Sequence, residues 1–132
     1  MNSILVLLTM IFLHIVADYN LQGWLASAKQ KKYWEAETTK MGMSEDEKRM
    51  YKFDYIMALI THSFAWTFLF MLPLTSVFGI SELYCVLFGI NLILHTFIDD
   101  LKANKFKINL VQDQLFHLVQ IVITWGLCYI IL

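Results

Sequence analysis

Cationic residues are missing from most of this chain. None precedes Lys29, none falls between Lys52 and Lys102, and none follows Lys107, so all ten lie in two short stretches. No basic tract interleaved with aromatics exists, which removes nucleic acid as an expected partner. Cysteine occurs only twice, at Cys85 and Cys128 in apolar runs. That excludes a disulfide framework or a thiolate zinc site and leaves both as buried small hydrophobes. Proline occurs once, and no internal repeat or low-complexity segment is present. Several catalytic signatures are missing too: there is no serine nucleophile elbow, Walker loop, dinucleotide fingerprint or H-E-x-x-H.

What is present is apolar. Hydrophobic residues make up 58% of the 132, and the mean hydropathy is +0.58. That is too apolar for a soluble domain of this length. Four apolar segments, about 3–25, 54–78, 83–101 and 111–132, each approach the ~20 residues that cross a ~30 Å hydrocarbon core. The expected fold is all-α, a four-transmembrane-helix bundle forming a single integral membrane domain over 1–132. Pro73, Gly79 and Ser81 mark a short turn between the second and third spans, and Asn104 to Asn109 a polar link between the third and fourth. The N-terminal run Ile4 to Ala17 is expected to stay as a span. Its flank lacks Lys and Arg, and partly polar residues separate it from the signal-like Ala26-Ser27-Ala28.

Four alternating spans put both basic stretches on one side, which the positive-inside rule makes cytoplasmic. The expectation is a multi-pass protein of the inner (cytoplasmic) membrane with both termini on the other side. The connection 26–53 is rich in helix formers, with Gly42 as a helix stop and Ser44 to Glu47 as a capping box. It is expected to form a cytoplasmic helical hairpin extending helices 1 and 2, serving as a solvated spacer or as the docking surface for a cytoplasmic partner. Trp24, Tyr33 and Trp34 suit an interfacial belt.

Polar residues inside the spans are sparse and patterned. Each span carries one histidine, and three of these have an aspartate four residues away: His14 with Asp18, His95 with Asp99, and His117 with Asp113. Residues four apart share a helix face, so each pair can aim nitrogen and oxygen donors at one point. Gln22 and Asn91 continue two of the stripes, and His62 stands in the second span. The topology puts all four histidines within ~10–15 Å of the cytoplasmic interface at 1.5 Å rise per residue. Ionisable groups inside a membrane are costly and point to function, whereas a lone His–Asp pair is commonly a satisfied hydrogen bond. Imidazole with carboxylate suits one or two divalent ions of the Zn, Mn or Fe type. Bis-histidine haem ligation would not call for a carboxylate beside almost every histidine. Phe64, Trp66, Phe68 and Phe70 read as lipid-facing or packing residues.

These motifs resemble a family of small multi-pass membrane proteins of bacteria and their phages whose function is unknown. The matching stretches are His14-Ile-Val-Ala-Asp18-Tyr-Asn-Leu-Gln22 with Trp24 and Lys29, His95-Thr-Phe-Ile-Asp99 with Lys102, and Asp113-Gln114-Leu-Phe-His117, with His62 in the second span. The pattern is also distantly similar to membrane-bound metal-dependent hydrolases. The expected metal ligands are His14, Asp18, His62, His95, Asp99, Asp113 and His117. Asp99 or Asp100 would act as general base, Gln22, Asn91 and Gln114 as supports, and Lys102 would meet an anionic head group. The depth favours a membrane lipid or lipid-linked phosphate as substrate. The alternative is a non-enzymatic membrane protein that conducts ions, protons or metal, binds a partner, or is a structural bundle held by hydrogen-bonded His–Asp pairs; a homo-oligomer is compatible with either reading.

Overall fold

The computed structural model describes residues 2–131, and among them every regular element is helical. Helix α1 (Ser3–Ile15) is capped by the Asn2 side chain, which accepts from the Ile4 amide, and it runs on into a π-helical turn at Val16–Asn20. Short helices α2 (Leu25–Ala28), α3 (Lys31–Lys40) and α4 (Glu45–Lys48) follow. The long helices are α5 (Asp54–Phe78), α6 (Glu82–Ala103) and α7 (Leu110–Ile131). Four stretches are long and apolar enough to cross a membrane: Ser3–Asn20, Glu45–Phe78, Glu82–Ala103 and Leu110–Ile131. The last spans 22 residues, or ~33 Å at 1.5 Å per residue.

Helix α5 is the centre of the bundle and packs against α1, α6 and α7, while α7 also touches α1 and α6. The polarity of this bundle is inverted. Phe12, Phe64, Ile93 and Phe97 are each more than half exposed on the outside, while histidine, aspartate, asparagine and threonine side chains are sealed within. In water so much exposed apolar surface would cost ~25 cal/mol per Å². Against lipid tails it costs nothing, and the interior polar groups must then find partners inside. This is the pattern of a multi-pass membrane protein.

The interior divides along its length. Toward the two termini lies an apolar core of Val6, Met10, Phe70, Met71, Leu74, Ile121 and Cys128. Trp66 closes its lower side, and beyond it the interior turns polar. The two basic connections meet at that polar end: the Asn104 side chain accepts from the Lys31 amide at 2.7 Å and donates to the Lys29 carbonyl at 3.1 Å.

Several local expectations meet a different outcome. The first span ends at Asn20, because the π turn and the left-handed Gly23 (φ 49°) break the helix before Leu25. Helix α1 therefore does not extend into a hairpin arm. On the other side, α4 and a 3-10 turn at Arg49–Tyr51 precede α5, with a turn at 52–53 dividing them from it, so the connection is a series of short helices. Gly42 (φ 69°) stops α3 with Met43 N–H bonding the Thr38 carbonyl, and Ser44 and Glu47 form the capping box. Pro73 lies inside α5, where its missing N–H is one bond in a long ladder, and the turn is made by Gly79 and the N-cap Ser81. Cys128 is buried as expected, but Cys85 faces outward.

Candidate metal centre

The i,i+4 pairs fall on inward faces because 3.6 residues per turn brings every fourth residue back to one stripe. His14 comes from the end of α1 and Asp18 from the π turn. His62 comes from α5, His95 and Asp99 from α6, and Asp113 and His117 from the first two turns of α7. His14, His62, His95, Asp99, Asp113 and His117 are each at most 2% exposed.

Asp99 is the hub. Its Oδ2 lies 3.4 Å from His62 Nε2, 3.8 Å from His95 Nε2 and 2.6 Å from Lys29 Nζ, and its Oδ1 lies 3.4 Å from His117 Nε2. His62 Nε2 also stands 3.4 Å from Asp18 Oδ1, and His117 Nε2 stands 3.5 Å from Asp113 Oδ1. Two donor groups thus flank one carboxylate: Asp18 with His62 on one side, Asp113 with His117 on the other. Asp18 Oδ1, His62 Nε2, His95 Nε2, Asp113 Oδ1 and His117 Nε2 are all buried without a hydrogen-bond partner.

Four nitrogen–oxygen pairs of the cluster stand at the edge length of a tetrahedral ion's ligands. Metal–nitrogen and metal–oxygen bonds of ~2.0–2.2 Å imply ligand-to-ligand edges of ~3.3–3.6 Å. The 3.4 and 3.5 Å separations lie on that edge length. Donor atoms of Asp18, His62 and His95, and likewise of His95, Asp99 and His117, fall within 4.8 Å of one another.

Neighbouring groups fix which ring nitrogens face inward. Gln120 Nε2 donates to Asn91 Oδ1 at 3.1 Å, and Asn91 Nδ2 donates to Thr124 at 2.8 Å. Gln120 Oε1 is therefore left to accept from His117 Nδ1 at 3.3 Å, so the proton sits on Nδ1 and the Nε2 lone pair faces Asp99 and Asp113. A bare lone pair between two carboxylates is repulsive, so a positive charge is favoured there, whether a second ring proton or a bound ion. His95 Nδ1 lies 3.2 Å from His117 Nδ1, where there is room for one proton. In the neutral pair only one of these two rings at a time can offer its Nε2.

His14 is used differently from the other three. The Trp66 indole, which can only donate, gives its N–H to His14 Nδ1 at 2.7 Å, and His14 Nε2 donates to Gln114 Oε1 at 3.1 Å. Both nitrogens are occupied, so the expected ligand role for His14 gives way to a supporting one. Gln114 in turn donates to Asp18 Oδ2 at 3.0 Å and to Asp113 Oδ2 at 3.2 Å, holding two carboxylates at once. Asp100 lies outside the cluster. It is tied to Lys105 at 3.0 Å and to Asn104 at 2.9 Å, and it borders an outer groove with Tyr55, Ile93 and Phe97. The general-base expectation for Asp100 fails, because the next residue along a helix points ~100° away. Gln22 bonds only the Asp18 carbonyl, at 3.1 Å, and Asn91 acts through Gln120.

Four contributors were not among the expected site residues. Lys29 is 5% exposed and pairs with Asp99; Trp66 stacks on His95 at 4.0 Å between ring centroids; Gln120 and Thr124 complete the Asn91 network. Gln120 had a readable signal, standing three residues after His117 on the same face. Lys102 pairs with Asp113 from the last turn of α6. No protein-family model, curated protein or solved structure matches this chain.

Proposed function

We propose that this chain is a membrane-bound metal-dependent hydrolase whose divalent metal centre lies near the cytoplasmic interface. The observation that carries this reading is the set of five buried ring and carboxylate atoms without partners, gathered around Asp99. Each unsatisfied buried group costs ~1–3 kcal/mol. Interhelical hydrogen bonds return only ~0.6 kcal/mol on average, so holding the helices together is a thin reason for the cluster. A divalent ion of the Zn, Mn or Fe type would satisfy these atoms together.

His62, His117, Asp18, Asp99 and Asp113 are the ligands in this reading, with His95 able to replace His117 when their shared proton shifts. His14, Gln114 and Gln120 orient them. A bound ion would supply a lowered pKa for water and a polarised scissile group. Asp99, which has the most neighbours, is the residue to accept the proton of the attacking water. Trp66 and the apolar core beyond it exclude water from the far side, which favours a one-sided pocket over a conduit for ions. The substrate reading is a lipid or lipid-linked phosphate.

The orientation belongs to the same proposal. The basic connections face the cytoplasm by the positive-inside rule, both termini lie outside, and the membrane is the inner one. The distant similarity of the His–Asp pattern to membrane-bound metal-dependent hydrolases supports the reaction class; the nearer resemblance, to a family of unknown function, adds nothing to it. Residues 26–53 remain the surface on which a cytoplasmic partner would dock.

Metal content of the detergent-purified protein is the deciding experiment, run beside His62→Ala, His117→Ala and Asp113→Ala. The expected result is stoichiometric metal in the wild type and its loss in each variant. A folded wild-type protein that holds no metal after mild purification would sink the reading.

A further inference from the structure

The metal reading leaves two cations to be explained. Lys29 Nζ lies 2.6 Å from Asp99 Oδ2, its side chain 6% exposed, and Lys102 reaches Asp113 with its side chain 29% exposed. A site built only to hold or move a cation gains nothing from two ammonium groups beside it, because like charges repel the cargo. With neutral imidazoles, Asp18, Asp99 and Asp113 against Lys29 and Lys102 leave one net negative charge. One divalent ion turns this into one net positive charge, and a second makes it more so. The loaded cluster therefore calls for an anion.

We propose that Lys29 and Lys102 are the anion-binding arm of this centre, and that the group they take is phosphoryl. This rests on the metal reading above. Once an ion draws on the charges of Asp99 and Asp113, the two ammonium groups are released from full pairing and can turn to a ligand. A phosphoryl group offers an oxygen to each lysine and a third to the metal, whereas a carboxylate has only two oxygens. The arm is built into the fold. Asn104, at the end of α6, clamps the backbone directly after Lys29 through the Lys29 carbonyl and the Lys31 amide. Lys102 sits two residues before Asn104 on the same helix end, and its partial exposure leaves its ammonium within reach of an anion from outside. The phosphoryl group comes either from a lipid head group or from free phosphate.

The test uses the full chain, zinc-loaded and cleared of free metal, in phosphatidylcholine nanodiscs. Calorimetry with inorganic phosphate forms one arm, and discs containing phosphatidic acid form the other. Lys29→Met, Lys102→Met and Lys29→Arg are compared with the wild type, with bound zinc counted in each. The expected result is binding of at least one probe by the zinc-loaded wild type, and none without zinc. Each methionine variant should lose about tenfold or more in affinity at unchanged zinc content, with Lys29→Arg partly restored. Binding of phosphatidic acid alone assigns the group to a lipid; binding of both assigns it to phosphate in general. Methionine variants that bind as well as the wild type would overturn the proposal, and so would zinc-loaded wild type that binds neither probe, while the metal centre would stand. Wild type that binds no zinc would remove both. Lys102→Met, at the more exposed position, keeps the result readable if Lys29→Met does not fold.

Discussion

Asp99→Asn is the most informative single change to the cluster, because Asp99 is the partner of the one lysine sealed inside the bundle. The substitution preserves size, so no cavity forms and the effect is electrostatic. In the native protein the Lys29 ammonium and the Asp99 carboxylate are 2.6 Å apart, with side-chain exposures of 6% and 2%. Removing one member of such a buried pair costs ~3–5 kcal/mol, since the remaining charge stays desolvated without compensation. The asparagine oxygen can still accept one hydrogen bond from Lys29, which sets the expectation at the lower end, ~3 kcal/mol. Adding Lys29→Met removes the stranded charge. The double variant should therefore regain ~2 kcal/mol or more over Asp99→Asn alone, a coupling of the size seen for contacting residues. Reversible unfolding in detergent, followed by tryptophan fluorescence with a chelator present, measures all four corners of the cycle. An Asp99→Asn protein within about 1 kcal/mol of wild type, or a double variant no more stable than the single, would refute the buried pair.

Gln114→Leu should leave helix content unchanged and weaken metal binding by ~10–100-fold, because three site side chains lose their orienting partner; competition against a chromophoric chelator reads this, and unchanged affinity would contradict it. Glu47 accepts from the Ser44 amide, which holds its carboxyl below the usual glutamate range. The cap should therefore be fully formed above the ordinary glutamate pKa and lost as pH falls through the lowered folded value. Amide exchange of Glu45 to Lys48, corrected for intrinsic rate, should quicken on acidification in the wild type but show no such pH step in Glu47→Gln, which keeps an acceptor for the Ser44 amide without a titrating carboxyl. In a background with Cys85 and Cys128 replaced by serine, Ser81→Cys should label with a membrane-impermeant thiol reagent from outside whole cells, and Ser44→Cys only after lysis. The opposite pattern would invert the assigned orientation.

Helical spacing makes much of the cluster legible in the sequence. His95 and Asp99 must share a face whatever surrounds them, since the backbone alone sets that period. The distribution of lysines brings four distant histidines to one depth, because short connections force adjacent spans to alternate. What spacing does not carry is the identity of cross-helix partners. By sequence His14 is equivalent to His95, and only Trp66 against its Nδ1 and Gln114 against its Nε2, 52 and 100 residues away, set it apart. Trp66 itself is one aromatic among several in a lipid-exposed run, and only its position on α5 separates it from Phe64 and Phe68. Lys29 counts toward orientation as a loop charge. Its burial depends on the Asn104 clamp, a contact across 75 residues. The early end of the first span is hidden for a related reason, since no residue type demands a π turn.

That wide turn has a consequence for the length of the chain itself. The Leu21 amide reaches back five residues to the Val16 carbonyl at 2.9 Å, so this stretch holds one residue more than an α-helix needs for the same closure. Loss of a single residue there, such as Ala17, would let the helix close in ordinary register. The chain after the deletion would then keep its phase relative to the first helix, while Asp18 would move from four to three residues after His14, ~100° around the axis. Every side chain of the centre would survive, yet the Asp18 carboxylate would leave the face on which His62 and Gln114 meet it. The supernumerary residue sets the aim of Asp18, and its loss should disable the centre as surely as losing a ligand.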